Sequence, residues 1–284
     1  MTRIVGVHGV GNYRPDQTVG QAVDTLSEVW WDRLARTLAT VGEPLDRSDV
    51  RVAYYADLLR HPGRQGRTGG LDELDEFEQQ LVQQWLETLP LPGGVSAGRL
   101  TAPLRQAVAW IAETRGLGRR ATEWFVSVFF REVAAYLGDA DGAARAAARD
   151  RVASAIADTG SRIVIAHSLG SVVAYEALWE RPDLRVDLLI TLGSPLALPH
   201  AVFPRLQPPP RNDRGRRPPN VGRWVNLADP GDLVAIPPGG VERRFDGVDR
   251  QESSATAIHA FDFHLVANYL SLPGLGYLLR SDGP

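Results

Sequence analysis

The chain has 284 residues, 44% hydrophobic and 23% charged, an ordinary globular composition with enough apolar residues to bury a sizeable core. It contains no cysteine, which excludes a disulfide scaffold, thiolate catalysis and cysteine-ligated zinc. All 31 basic residues are arginine, against 34 acidic residues and a net charge of −3. Arginine-only usage fits the codon bias of a GC-rich bacterial genome, and nucleic acid is not an expected partner.

Residues 2–8 read as a buried strand, too short for the apolar core of a signal peptide. No later stretch approaches the ~20 unbroken apolar residues of a membrane helix, so the expectation is a cytoplasmic protein with no integral membrane segment. After a Gly-rich loop, Val23, Leu26, Trp30, Leu34 and Leu38 recur at helical spacing and predict a helix over about 17–40. A second strand at about 51–57 completes a β–α–β start, which favours a parallel sheet. From about 60 to 140 the pattern becomes helical, at 72–89, 104–114 and 121–137, with no strand signal; this predicts a helical insertion. A helix at about 143–157 leads to a strand at 162–166, a tight turn and a helix at about 170–180. Strands follow at 187–192 and 223–227, separated by a Pro/Arg-rich stretch at about 204–222 expected to be mobile loop. A final helix begins near His264.

The strongest chemical signal is Ile165-Ala166-His167-Ser168-Leu169-Gly170-Ser171, a serine between a strand and a helix with small residues two before and two after it. Small flanks permit the strained turn that lifts a serine hydroxyl above a sheet edge, the nucleophile elbow; Ala166 stands where glycine is usual. The amide of Leu169, at the helix N-terminus, then becomes one oxyanion donor. The alternative, a serine that merely caps a helix, is common wherever Ser-x-Gly occurs. Directly after the first strand, His8-Gly9-Val10-Gly11-Asn12 is a Gly-rich turn that can aim a second main-chain donor into the site, best supplied by Val10. It lacks the third glycine of a dinucleotide fingerprint. His8, Gly9 and His167 are expected to line the site.

Hydrolases with such an elbow carry their triad in the order Ser, Asp or Glu, His. Three histidines follow Ser168; His200 precedes every plausible acid, leaving His264 as the favoured base and His259 as its rival. Two aspartates follow the 223–227 strand. Asp232 is favoured because an apolar run after it would bury its backbone beside the site; Asp229, before proline, is the alternative and suits a turn.

These motifs resemble the lipase and esterase branches of the α/β-hydrolase superfamily over residues 2–11, 161–195 and 223–270. The stretch beginning Asp232-Leu-Val-Ala is similar to the acid loop of triacylglycerol lipases, Thr191-Leu-Gly-Ser-Pro-Leu to a lipase-like strand end, and the His8-Gly-Val-Gly-Asn start to a poorly characterised bacterial group. The resemblance implies one α/β-hydrolase domain over 1–284, a mostly parallel sheet flanked by helices, with a helical cap inserted at 60–140. It also implies ester- or amide-hydrolysing chemistry. The expected function is cleavage of a small acyl ester by Ser168, His264 and Asp232, with no metal and no cofactor. An amide or thioester substrate, or a non-catalytic binding module, are the alternatives; oligomeric state is not readable. Tryptophans of the inserted helices, Trp85 and Trp124 among them, are candidates for an acyl pocket, although most such stripes are core.

Overall fold

The computed structural model describes residues 3–60, 70–89, 101–114, 116, 118–252 and 264–280. Strand β1 (Ile4–Val7) leads into helix α1 (Val19–Ala39), which starts at a capping box: the Thr18 hydroxyl accepts from the Gln21 amide, and the Gln21 side chain accepts from the Thr18 amide. Strand β2 (Val50–Ala53) is shorter than its apolar run predicts. The chain leaves the sheet because the Tyr55 amide donates to His8 Nε2 (3.1 Å) rather than to a neighbouring strand. One 3₁₀ turn, Ala56–Leu59, follows.

Helices α2 (Glu76–Leu86), α3 (Thr101–Thr114) and α4 (Arg119–Leu137) form the inserted segment, and no strand occurs among its described residues. Helix α5 (Ala143–Thr159) returns to strand β3 (Ile163–His167), followed by α6 (Leu169–Glu180) and strand β4 (Val186–Leu192). Next come the two-residue strand β5 (Gly215–Arg216), β6 (Val221–Leu227), α7 (Gly240–Arg244), β7 (Phe245–Asp246) and β8 (Arg250–Glu252). Two short helices, α8 (Val266–Leu270) and α9 (Pro273–Leu278), stand where one final helix is expected.

Six strands form one sheet in the order β2-β1-β3-β4-β6-β8, and every neighbouring pair is parallel. This is an α/β architecture with helices on both faces, and the period-two alternation of its strands decides which face each residue meets. Ile4, Ile165, Ile190, Leu192 and Val225 pack with α1, α8 and α9. Val5, Val7, Val164, Ala166, Leu189 and Trp224 face the other way, in a core that also holds residues of α2, α4, α5 and α6. The inserted helices therefore share the main core. Trp85 is part of that core, 2% exposed, with its indole N–H donating to the Leu233 carbonyl at 2.7 Å. It buttresses the loop after β6 and does not line an open acyl pocket, while Trp124 is 53% exposed.

The Pro/Arg-rich stretch is folded, contrary to expectation. Phe203–Arg205 forms a 3₁₀ turn, β5 pairs with β7, and Phe203, Leu206 and Val221 are buried. Two of its arginines find acids in the distant 245–249 segment: Arg214 meets Asp246, and Arg217 meets Asp249 at 2.7 Å. Composition alone suggests a solvated loop because those partners are about 30 residues away in sequence.

Candidate active site

In a parallel sheet all strand C-termini share one edge, and the chain reverses its direction of travel between β1 and β3, which opens a crevice there. The loop after β1 and the turn after β3 flank that crevice. Ser168 occupies the turn with φ 54° and ψ −132°, a region costly for a residue with a Cβ. Its backbone is held by its own amide donating to Leu192 O (2.9 Å), and by the Ser171 hydroxyl donating to Ser168 O (2.6 Å). The Ser168 side chain makes no capping hydrogen bond, which removes the helix-cap explanation, and its Oγ is buried without a partner among the described residues. Ser194, the nearby serine after β4, has its Oγ engaged with Ser171 Oγ at 2.6 Å.

The β1 loop approaches the elbow so closely that a Cβ at Gly9 would lie 2.6 Å from Ser168 Cβ and 2.8 Å from His167 Nδ1; only glycine fits. The His8 ring is committed to Tyr55 and to its own loop. It stacks on Tyr55 (ring centroids 4.3 Å apart), accepts from the Tyr55 amide through Nε2 and donates from Nδ1 to Gly9 O at 2.8 Å. Burial pushes its pKa down to about 4, so it is a neutral brace for the loop. His167 is also held well below the usual histidine range, by burial first and then by the neighbouring His264.

Asp232, at the end of the loop after β6, meets His264, two residues before α8. His264 Nδ1 lies 2.7 Å from Asp232 Oδ2, and both side chains are nearly inaccessible. A carboxylate only accepts, so Nδ1 carries the hydrogen, and in the neutral imidazole Nε2 presents the lone pair; Nε2 is buried with no hydrogen-bond partner among the described residues. The Tyr269 hydroxyl also donates to Asp232 Oδ2 (2.6 Å), and the Val234 amide donates to Oδ1 (2.8 Å). Tyr269 was not legible as a site residue: it reads as one more apolar position of a terminal helix. Burial and the Asp232 charge keep its phenol well above the ordinary range, hence a permanent donor. Gly193 makes room for this pair, since a Cβ there would sit 2.8 Å from Asp232 Oδ2 and 3.1 Å from His264 Cε1.

Asp229 shapes the turn, its Oδ1 accepting from the Gly231 amide at 2.6 Å. His259 lies outside the described residues. From α4, the rings of Phe125 and Phe129 stand 5.4 and 6.4 Å from the His264 ring, giving the base an apolar cover. Of the two expected oxyanion donors, Leu169 begins α6 and Val10 sits at the head of the β1 loop. No group of three or more His, Asp or Glu side chains suited to a metal ion occurs among the described residues. A cavity of about 460 Å³ lies elsewhere, beside Tyr175, Trp179 and Gln207, and contains none of these groups. No helix among the described residues is long and apolar enough to cross a membrane.

Comparison of the chain with protein-family models, with curated proteins and with solved structures returns no match.

Proposed function

We propose that this protein is a serine hydrolase of the α/β-hydrolase kind that cleaves a carboxylic ester. The observation that carries the reading is the Asp232–His264 contact of 2.7 Å, with the His264 ring 4.7 Å from that of His167, the residue before a strained Ser168 whose hydroxyl has no hydrogen-bond partner among the described residues. In this reading Ser168 Oγ attacks the ester carbonyl carbon while His264 Nε2 takes its proton. Asp232 fixes the imidazole tautomer and stabilises the imidazolium. The amides of Val10 and Leu169 receive the charge that develops on the carbonyl oxygen. Collapse expels the alcohol, which leaves with the proton from His264, and the acyl group remains on Ser168. Water, deprotonated by the same nitrogen, then releases the acid. The apolar rings of Phe125 and Phe129 favour an apolar acyl group.

A fluorophosphonate probe tests this directly. The expected result is a single label on Ser168, abolished in Ser168→Ala without loss of the folded state. An unlabelled wild-type protein, or a label that persists in Ser168→Ala, overturns the proposal. Hydrolysis of esters, thioesters and amides of graded chain length then ranks the substrate classes.

A further inference from the structure

The Val10 N–H lies in the peptide plane it shares with the Gly9 carbonyl, and that plane is coupled through the Val10 φ and ψ to the plane that follows. The Gly9 carbonyl accepts from His8 Nδ1 (2.8 Å) and from Asn12 Nδ2 (3.0 Å). The plane that follows contains the Val10 carbonyl and the Gly11 amide. Asn12 Nδ2 donates to that carbonyl at 3.1 Å, and the Gly11 amide donates to Glu132 Oε1 at 3.0 Å. Glu132 is 121 residues further along the chain, on α4. One of its carboxylate oxygens thus reaches from α4 to the loop after β1, and the other, Oε2, is shut off from solvent with no hydrogen-bond partner among the described residues. A carboxylate in such a place is expensive unless its position serves something. Burial indeed pushes Glu132 up to about 7, opposed by the Gly11 amide and by Arg60.

We propose that Glu132 is a positioning residue for the oxyanion site, an acceptor on α4 that holds the peptide plane following Val10 and thereby restricts the Val10 torsions about which the Val10 amide could turn. The inference rests on the hydrolase reading and deepens it: the insertion helps to build the catalytic centre as well as cover it. Aiming a donor is a transition-state effect, so its loss lowers kcat and leaves KM nearly unchanged.

The test compares wild type, Glu132→Gln and Glu132→Ala in p-nitrophenyl ester hydrolysis and in the rate of fluorophosphonate labelling, each normalised to folded protein by thermal melting. Glutamine keeps the acceptor and alanine removes it. The expected result is a loss of kcat of about tenfold or more in Glu132→Ala, with KM within about twofold, a parallel loss of labelling rate, and recovery to within about threefold of wild type in Glu132→Gln. If the alanine variant does not fold, Glu132→Met, which keeps the stem but lacks the acceptor, takes its place. Unchanged kcat in a folded variant without the acceptor overturns the inference alone, as does a glutamine variant as impaired as the alanine one. A wild-type protein that neither hydrolyses esters nor takes the label overturns the hydrolase reading and this inference with it.

Discussion

Asp232 and Asp229 stand three residues apart in the same loop, yet their carboxylates do different work. Asp232 accepts from His264, Tyr269 and the Val234 amide, whereas Asp229 closes a turn on Gly231. In the hydrolase reading, Asp232→Asn leaves a side chain that can donate to Nδ1, so the wrong tautomer is populated and kcat falls by about 10²–10⁴-fold. Asp229→Asn keeps an oxygen for the turn and should cost less than about tenfold, since the base stays oriented. Tyr269→Phe removes one donor from Asp232 and falls between them. Steady-state ester hydrolysis by the three variants ranks them; an Asp229→Asn defect as deep as that of Asp232→Asn would contradict the assignment. The sequence singles out Ser168 by its strand–turn–helix setting, and Asp232 and His264 by the chain order that goes with such a turn; it does not show the close approach of Gly9 to Ser168. It is silent on Tyr269 and Glu132, whose partners lie 37 and 121 residues away.

At the scale of elements, the five longer strands and the long helices are legible because burial on a sheet face or a helix stripe imposes a period on the sequence, whereas β5, β7 and β8, of two or three residues each, are too short to show one. What periodicity cannot reveal is pairing between elements. Glu176 reads as an ordinary helical charge, yet it is 1% exposed and bound by Arg145 of α5, Tyr136 of α4 (2.7 Å) and the Gln207 amide (2.9 Å). This cluster ties the insertion, α5 and the 205–207 stretch to α6, the helix that begins at the elbow. Removing one partner strands a buried charge, so Glu176→Ala is expected to destabilise the fold by about 3–5 kcal/mol. The exposed pair Arg181–Asp183, at 2.7 Å, has comparable geometry but solvent around it; Asp183→Ala should cost far less than Glu176→Ala. Urea unfolding of both variants decides whether burial, rather than the contact itself, sets the cost. The same blindness to distant partners explains the 204–222 stretch, whose arginines look solvated until Asp246 and Asp249 are brought beside them.

Across the whole molecule, groups buried near the candidate site pull stability in opposite directions as pH changes. His8 is lowered from 6.5 to about 4, so between those values the unfolded chain binds a proton that the folded chain refuses. Folding stability therefore falls as the solution is acidified through this window, by roughly 3 kcal/mol for His8 if about 1.4 kcal/mol is taken per pKa unit. His167, also lowered by burial, adds to the fall. Glu132 acts with the other sign: raised from 4.5 to about 7, it keeps its proton in the folded state while the unfolded chain has lost it, and acidification through that range favours folding. The His8 and Glu132 shifts are of about equal size and opposite sign, so it is His167 that leaves a net loss, and the melting temperature should decline from pH 7 to pH 4.5. His8→Gln retains a neutral donor and acceptor for Gly9 and Tyr55 but cannot titrate, and its decline should be shallower even if its melting temperature at pH 7 is lower. Glu132→Gln removes the opposing group, and its decline should be steeper. Calorimetric melting of the three proteins across this range measures the slopes directly, and equal slopes for wild type and His8→Gln would mean that His8 takes up its proton within the folded protein.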